Sequence, residues 1–121
     1  MTLYTANFSA RELACRCGCS TPVGIDRNLK KLAEKLQQLR DLAGAPIIVA
    51  SGYRCPLHNK AVGGAAHSQH MQGVAADIWS KKLNPQQLFV LAEKIPEFER
   101  GGIGIYSTWI HVDLRKGKAR W

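Results

Sequence analysis

The 121-residue sequence has no long hydrophobic run. Its longest aliphatic stretch, Ala45 to Ala50, is far short of the roughly 20 apolar residues that a membrane-spanning helix needs. No internal repeat, linker or low-complexity segment interrupts it, which excludes collagen-like and coiled-coil architectures and predicts one domain over residues 1–121. It has no block of five or six like charges, so charge alone names no partner. Met1 to Ala10 is polar and lacks the apolar core of a Sec-type leader, which predicts synthesis and folding in a cytoplasm. In that setting Cys15, Cys17, Cys19 and Cys55 read as thiols or metal ligands before they read as a disulfide framework.

What is present suits a small folded domain. Apolar residues make up 45% and charged residues 21%, and surface scaling gives roughly 19,400 Å² unfolded against roughly 6,500 Å² folded. About two-thirds of the surface can thus be buried, enough for one modest core. Lys and Arg number 17 against 9 acidic residues, a formal +8 that predicts attraction to a polyanion. Nucleic acid, anionic cell-wall polymer and lipid headgroups all fit that sign.

Local patterns predict an α+β fold, a small antiparallel sheet with packed helices. Ser9 and Glu12 form a capping box before Leu13. Asp26 is a candidate cap for the main helix, whose apolar face runs Leu29, Leu32, Ala33, Leu36, Leu39, Leu42 and Ala43 before Gly44 and Pro46 stop it. Ile47 to Ala50 reads as a buried strand, and Val74 to Ile78 as a second. Between them, Ser51 to Gly73 loses all periodicity and reads as a long functional loop. Asn84 and Pro85 open a helix that Pro96 ends. Gly102 to Tyr106 and Trp109 to Leu114 form a hairpin across Ser107 and Thr108.

Three motifs carry chemistry. The stretch Ser68 to Asp77 is S-x-H-x-x-G-x-A-x-D, with a histidine on a loop and a carboxylate on the next strand. His70 and Asp77 are both suitable ligands for Zn²⁺. Trp109 to Arg115 alternates, placing His111, Asp113 and Arg115 on one strand face and Ile110, Val112 and Leu114 on the other. His111 would complete a His₂Asp set, whose open fourth position is the mark of a catalytic zinc. Arg54, in Ser51-Gly52-Tyr53-Arg54, sits at the exit of the first strand, placed to hold a carboxylate or polarise a carbonyl. Taken singly, each motif also has a plain reading: a capped turn, an exposed strand face, a surface salt bridge.

Taken in order, S-G-Y-R, S-x-H-x-x-G-x-A-x-D and H-V-D resemble the zinc D-alanyl-D-alanine carboxypeptidase family. That family includes phage L-alanyl-D-glutamate endolysins and the vancomycin-resistance D,D-dipeptidases, and the likeness runs from about Phe8 to Trp121. The resemblance implies a Hedgehog/D,D-peptidase fold, one catalytic Zn²⁺, and peptidoglycan stem peptides as substrates. It implies His70, Asp77 and His111 as zinc ligands, Arg54 as the transition-state arginine, and Ser68 as a substrate-contacting serine. A monomer acting on the cell wall, with no nucleic-acid partner, is expected, and the missing leader fits a phage-encoded or virion-associated enzyme. One position departs from the pattern. Many relatives carry an acidic general base three residues before the last histidine, where this chain has Thr108. Asp113 is the candidate substitute, as base or as a carboxylate that orients His111; Glu97 and Glu99 are the nearest upstream alternatives.

Two questions stay open at this level. Cys15, Cys17 and Cys19 with Cys55 could close a Cys₄ zinc site, but the spacing is tighter than C-x₂-C, and a Cys55 disulfide or plain buried thiols compete. The leading function, a zinc peptidase, competes with a non-catalytic cell-wall-binding module of the same fold. A basic nucleic-acid binder has only the charge behind it.

Overall fold

Leu29, Leu32, Ala33, Leu36 and Leu39 recur at helical spacing, and all five are buried by a long helix, α2 (Val23–Ala43). In the computed structural model, which describes residues 2–121, this helix begins a turn earlier than Asp26. Pro22 stands at the cap position, and the Asp26 N–H already donates to the Pro22 carbonyl at 2.8 Å. Asp26 is therefore a first-turn acid rather than a cap; it accepts from the Tyr4 hydroxyl and pairs with Lys30 at 3.4 Å. Its charge suits the positive end of the helix dipole. Gly44, at φ +61°, ends the helix in the left-handed conformation that glycine adopts without a Cβ penalty. The shorter α1 (Ala10–Leu13) carries the expected Ser9–Glu12 capping box, with Leu13 buried.

Five strands form one sheet: β1 (Ile48–Ser51), β2 (Ala75–Trp79), β3 (Gly102–Ile105), β4 (Ile110–Asp113) and β5 (Ala119–Arg120). Their order is β1-β2-β4-β3-β5, antiparallel throughout except for the parallel β3–β5 pair. The fold is α+β, as the patterning predicts, and the β3–β4 hairpin closes across Ser107 and Thr108 with the Tyr106 N–H on the Trp109 carbonyl at 2.9 Å. β5 has no counterpart in the sequence reading, because two residues are too few to show alternation. One sheet face supplies Val49, Ile78, Ile103, Ile110 and Val112 to the core, together with the α2 leucines and Leu88, Ala92 and Phe98. The chain exposes 6624 Å², close to the scaling value for its mass.

The stretch between β1 and β2 is more ordered than its composition suggests. It holds α3 (Pro56–Ala61) and a 3₁₀ turn over Gln69–Gln72. Cys55 caps α3 and Pro56 opens it, but only Asn59 is buried, so no apolar period announces the helix. After Asn84 and Gln87 form a capping box, α4 (Pro85–Ala92) stops short of Pro96, which instead opens a separate turn, α5 (Pro96–Glu99). None of these helices is long and apolar enough, among the described residues, to cross a membrane.

Candidate metal centre and active site

Sheet register assembles the site. Asp77 on β2 faces His111 on β4, with Ser51 on β1 and Gly104 on β3 completing one row across four strands. Directly opposed residues share a sheet face, and this row lies on the face away from Ile78, Ile110 and Val112. An irregularity between Val49 and Ser51 breaks the β1 register and sets Ser51, rather than Ala50, opposite Asp77. His70 comes from the 3₁₀ turn. Its N–H donates to the Ser68 hydroxyl at 3.2 Å, and Gly73 closes the turn at φ +72°. A Cβ on Gly73 would also lie 2.8 Å from Ile25 Cγ2, so glycine is required twice over.

Three donor atoms converge. His70 Nε2 lies 3.3 Å and His111 Nδ1 3.2 Å from Asp77 Oδ1, and all three lie within 4.8 Å of one another. Tetrahedral zinc with ligands at 2.0–2.1 Å sets its donors about 3.3–3.4 Å apart. The outward nitrogens are committed elsewhere. His70 Nδ1 donates to the Gly52 carbonyl at 2.8 Å, which directs Nε2 toward the site. His111 Nε2 donates to Asp113 Oδ2 at 2.7 Å, which aims Nδ1 inward. A ligand imidazole whose second nitrogen is held by a carbonyl or carboxylate is the usual arrangement at zinc. The residues fit the ion.

The electrostatics follow from this packing. Burial alone would raise the Asp77 carboxyl, but hydrogen bonds and charge from His111 and His70 hold it well below the usual carboxylate range. Burial alone would lower His111, but Asp113 and Asp77 raise it above its ordinary value. In the metal-free chain, that raised value contributes stability that is full below an imidazole's ordinary pKa of about 6.5 and lost as pH rises through the folded value.

Asp113 is wholly buried, and both its oxygens are engaged. Oδ1 accepts from the Gly102 N–H at 2.9 Å and the Arg115 N–H at 3.0 Å; Oδ2 accepts from His111 and from Arg115 Nη2 at 2.7 Å. Burial would raise its carboxyl, but His111 and Arg115 pull it well below the usual range. Gly102 makes the nest possible: a Cβ there would lie 2.5 Å from Asp113 Oδ2 and 2.7 Å from Arg115 Nε. Gly102→Ala is expected to cost about 1–3 kcal/mol of stability through overpacking. Chemical denaturation reads that loss; an unchanged midpoint would mean that the nest yields freely.

Arg54 lies beside the donors. Its Nη2 donates to Asp77 Oδ2 at 3.4 Å, Nη1 to Asn59 Oδ1 at 3.1 Å and Nε to the Ser51 hydroxyl at 3.2 Å. A cavity of about 600 Å³ opens over Arg54, Ser68, His70, Asp77, His111 and Arg115. Residues 6–113 match the family model described as Peptidase M15. The chain belongs to this family. No curated protein matches it. As a Peptidase M15 chain it falls in a family of peptidases, and the donor set above lies within the matched span.

Other candidates lie apart from the donors. Thr108 is exposed and lines a separate hollow with Ala50, Trp79 and Trp109. Glu97 is paired with Lys35 and Arg100, and Glu99 with Lys118; neither lines the 600 Å³ cavity, where Asp77 is the one acidic side chain among the described residues. Asp113 does not line it either. His67 does, from an exposed loop position. Cys15, Cys17, Cys19 and Cys55 gather as free thiols in a second cluster.

Two features escaped sequence reasoning. Asn59 is buried, accepts from Arg54 and donates to the Ala65 carbonyl at 2.9 Å, so it links the guanidinium to the cavity wall. Only the pairing of an asparagine with an arginine five residues before it on a capped turn could have hinted at this. Trp121 stands 5.0 Å from the His111 ring, under the Arg115 guanidinium, and donates to the Tyr106 hydroxyl at 2.8 Å. The unrecognised β5 delivers it there.

Proposed function

We propose that this chain is a zinc-dependent peptidase that hydrolyses a peptide bond in the stem peptides of peptidoglycan. The observation that carries the reading is the convergence of His70 Nε2 and His111 Nδ1 on Asp77 Oδ1, at 3.3 and 3.2 Å and with all three donors within 4.8 Å, under an open cavity. Family membership supports the reaction class. The formal +8 charge and the two guanidiniums lining the cavity, Arg54 and Arg115, favour an anionic substrate.

A zinc ion held by these three residues supplies a Lewis acid that polarises a carbonyl and lowers the pKa of water. The chain supplies the rest. Gly52 and Asp113 hold the outer nitrogens of His70 and His111, so their site-facing nitrogens stay aimed where the ion would sit. Arg54, held by Ser51 and Asn59, presents its fork to the substrate's carboxylate or to the oxygen on which charge develops. Ser68 lines the same cavity and is assigned a substrate contact alongside its turn-capping bond. Asp113 is assigned the task of orienting His111, because its oxygens are filled and it is sealed from the cavity.

Arg54→Lys tests the arginine. Lysine keeps the charge but loses the planar fork, so turnover should fall about 10²–10³-fold, the usual loss for one oxyanion donor. The denaturation midpoint should move little. An unchanged rate would make Arg54 a structural residue.

A second reading has one observation behind it. Among the described residues, no side-chain carboxylate other than Asp77 lines the cavity, which favours a module that binds zinc and murein without cleaving. Mass analysis of purified peptidoglycan, incubated with zinc-loaded protein, separates the two. New stem-peptide termini support the peptidase and identify the bond. Intact stems with bound protein support the binder.

A further inference from the structure

The four cysteines take no part in the site above, yet their arrangement is specific. Cys15 follows α1, Cys17 and Cys19 flank Gly18, and Cys55 caps α3, 36 positions further along the chain than Cys19. Gly18, at φ +85°, turns the chain back on itself, with its N–H on the Cys15 carbonyl at 3.1 Å. The sulfurs at alternate positions 15, 17 and 19 thereby meet at one point, and Cys55 arrives from the other side. All four Sγ atoms lie within 4.8 Å of one another. Cys15 and Cys17 are 3.3 Å apart, Cys17 and Cys55 3.6 Å.

We propose that Cys15, Cys17, Cys19 and Cys55 hold a second zinc ion, in a closed tetrahedral thiolate site that fastens the N-terminal segment to the loop carrying Arg54. Zinc at about 2.3 Å from four sulfurs sets them about 3.8 Å apart, the scale seen here. Two disulfides would instead sort the sulfurs into two bonded pairs, each at about 2.05 Å, whereas these four are mutual neighbours. Backbone donors already point at the sulfurs: the Cys55 N–H at Cys15 Sγ and the His58 N–H at Cys55 Sγ, each at 3.4 Å. On coordination each thiol gives its proton to solvent, and the ion replaces the four protons. With four protein ligands no position remains for water, so this site is structural.

Its place in the fold says what it secures. Cys55 directly follows Arg54. The Tyr53 N–H donates to the Leu13 carbonyl at 2.9 Å, and a Cβ on Gly52 would lie 2.8 Å from Leu13 Cα, so α1 sits hard against the loop. That loop supplies the Gly52 carbonyl that orients His70. The second ion therefore holds the backbone that positions both Arg54 and His70.

The test uses cobalt as a spectroscopic stand-in, with zinc content measured in parallel, on the full chain carrying His111→Ala. That variant retains all four cysteines and lacks a ligand of the first site. It should still bind one metal ion per chain and show thiolate-to-cobalt charge-transfer absorption. Adding Cys17→Ser and Cys19→Ser, both at exposed positions, should abolish that absorption. In an otherwise unaltered chain the same pair of serines should lower bound zinc from two ions to one and reduce thermal stability. No thiolate band in His111→Ala, or two disulfides by mass after thiol blocking, would overturn the proposal. Neither result depends on whether the protein cleaves peptidoglycan.

Discussion

His111→Ala is expected to abolish zinc binding at the proposed His70–Asp77–His111 site, and hydrolysis with it. His70 Nε2 and Asp77 Oδ1 would remain, and two protein donors are too few to hold Zn²⁺ in tetrahedral geometry. The effect reaches past the ligand. His111 is buried between Asp77 and Asp113, so its loss leaves the Asp113 carboxylate with only its backbone and Arg115 partners. Some stability is lost as well, so the melting curve must accompany the zinc measurement. Asp77→Asn is the companion variant, because it keeps the shape and removes the charge. Both should lose one zinc ion per chain relative to the unaltered protein and should yield no peptidoglycan products. Full zinc occupancy with normal turnover in a folded His111→Ala protein would remove His111 from the ligand set.

Asp113→Asn separates two roles for one carboxylate. If Asp113 orients His111, the change weakens zinc affinity by roughly 10- to 100-fold, and excess zinc restores much of the rate. If Asp113 took a proton from water, the variant would stay two or more orders of magnitude slow at saturating zinc. The geometry favours rescue. Asp113 Oδ2 is 2.7 Å from His111 Nε2, the nitrogen that faces away from the other donors, and the side chain has no exposed surface. Asparagine can still accept from one neighbour, but it loses the charge that raises the His111 pKa. The decisive measurement is rate against added zinc, with the denaturation midpoint as a control for the lost Arg115 partner. A variant that is dead at every zinc concentration while still folded would return Asp113 to the chemistry.

Much of this is legible from residue order because the site is written on strands. Alternation through Trp109 to Arg115 puts His111 and Asp113 on one face, and the sheet register then sets Asp77 opposite His111. Three-residue turns and caps were equally readable, as in the Ser9–Glu12 box. What the sequence hides is set by contacts between distant segments. The start of α2 is hidden because Asp26 looks like a cap, yet Pro22 can open the helix earlier. The α3 helix looks like loop in the sequence because its one buried residue is Asn59, whose partners are Arg54 and Ala65 rather than an apolar face. β5 and the place of Trp121 stay hidden because a two-residue strand has no period. The burial of Asp113 could not be foreseen, since it depends on Gly102 lying across the hairpin from it.

The proposed zinc centre is open to direct test. Crystals of the zinc-loaded protein, measured on both sides of the zinc absorption edge, locate the ion by its anomalous difference peak. The predicted result is a peak at about 2.0–2.2 Å from His70 Nε2, Asp77 Oδ1 and His111 Nδ1, with Asp113 touching His111 and not the metal. A zinc-loaded crystal with no peak among these three residues, or with the ion bound by Asp113, would contradict the centre described here.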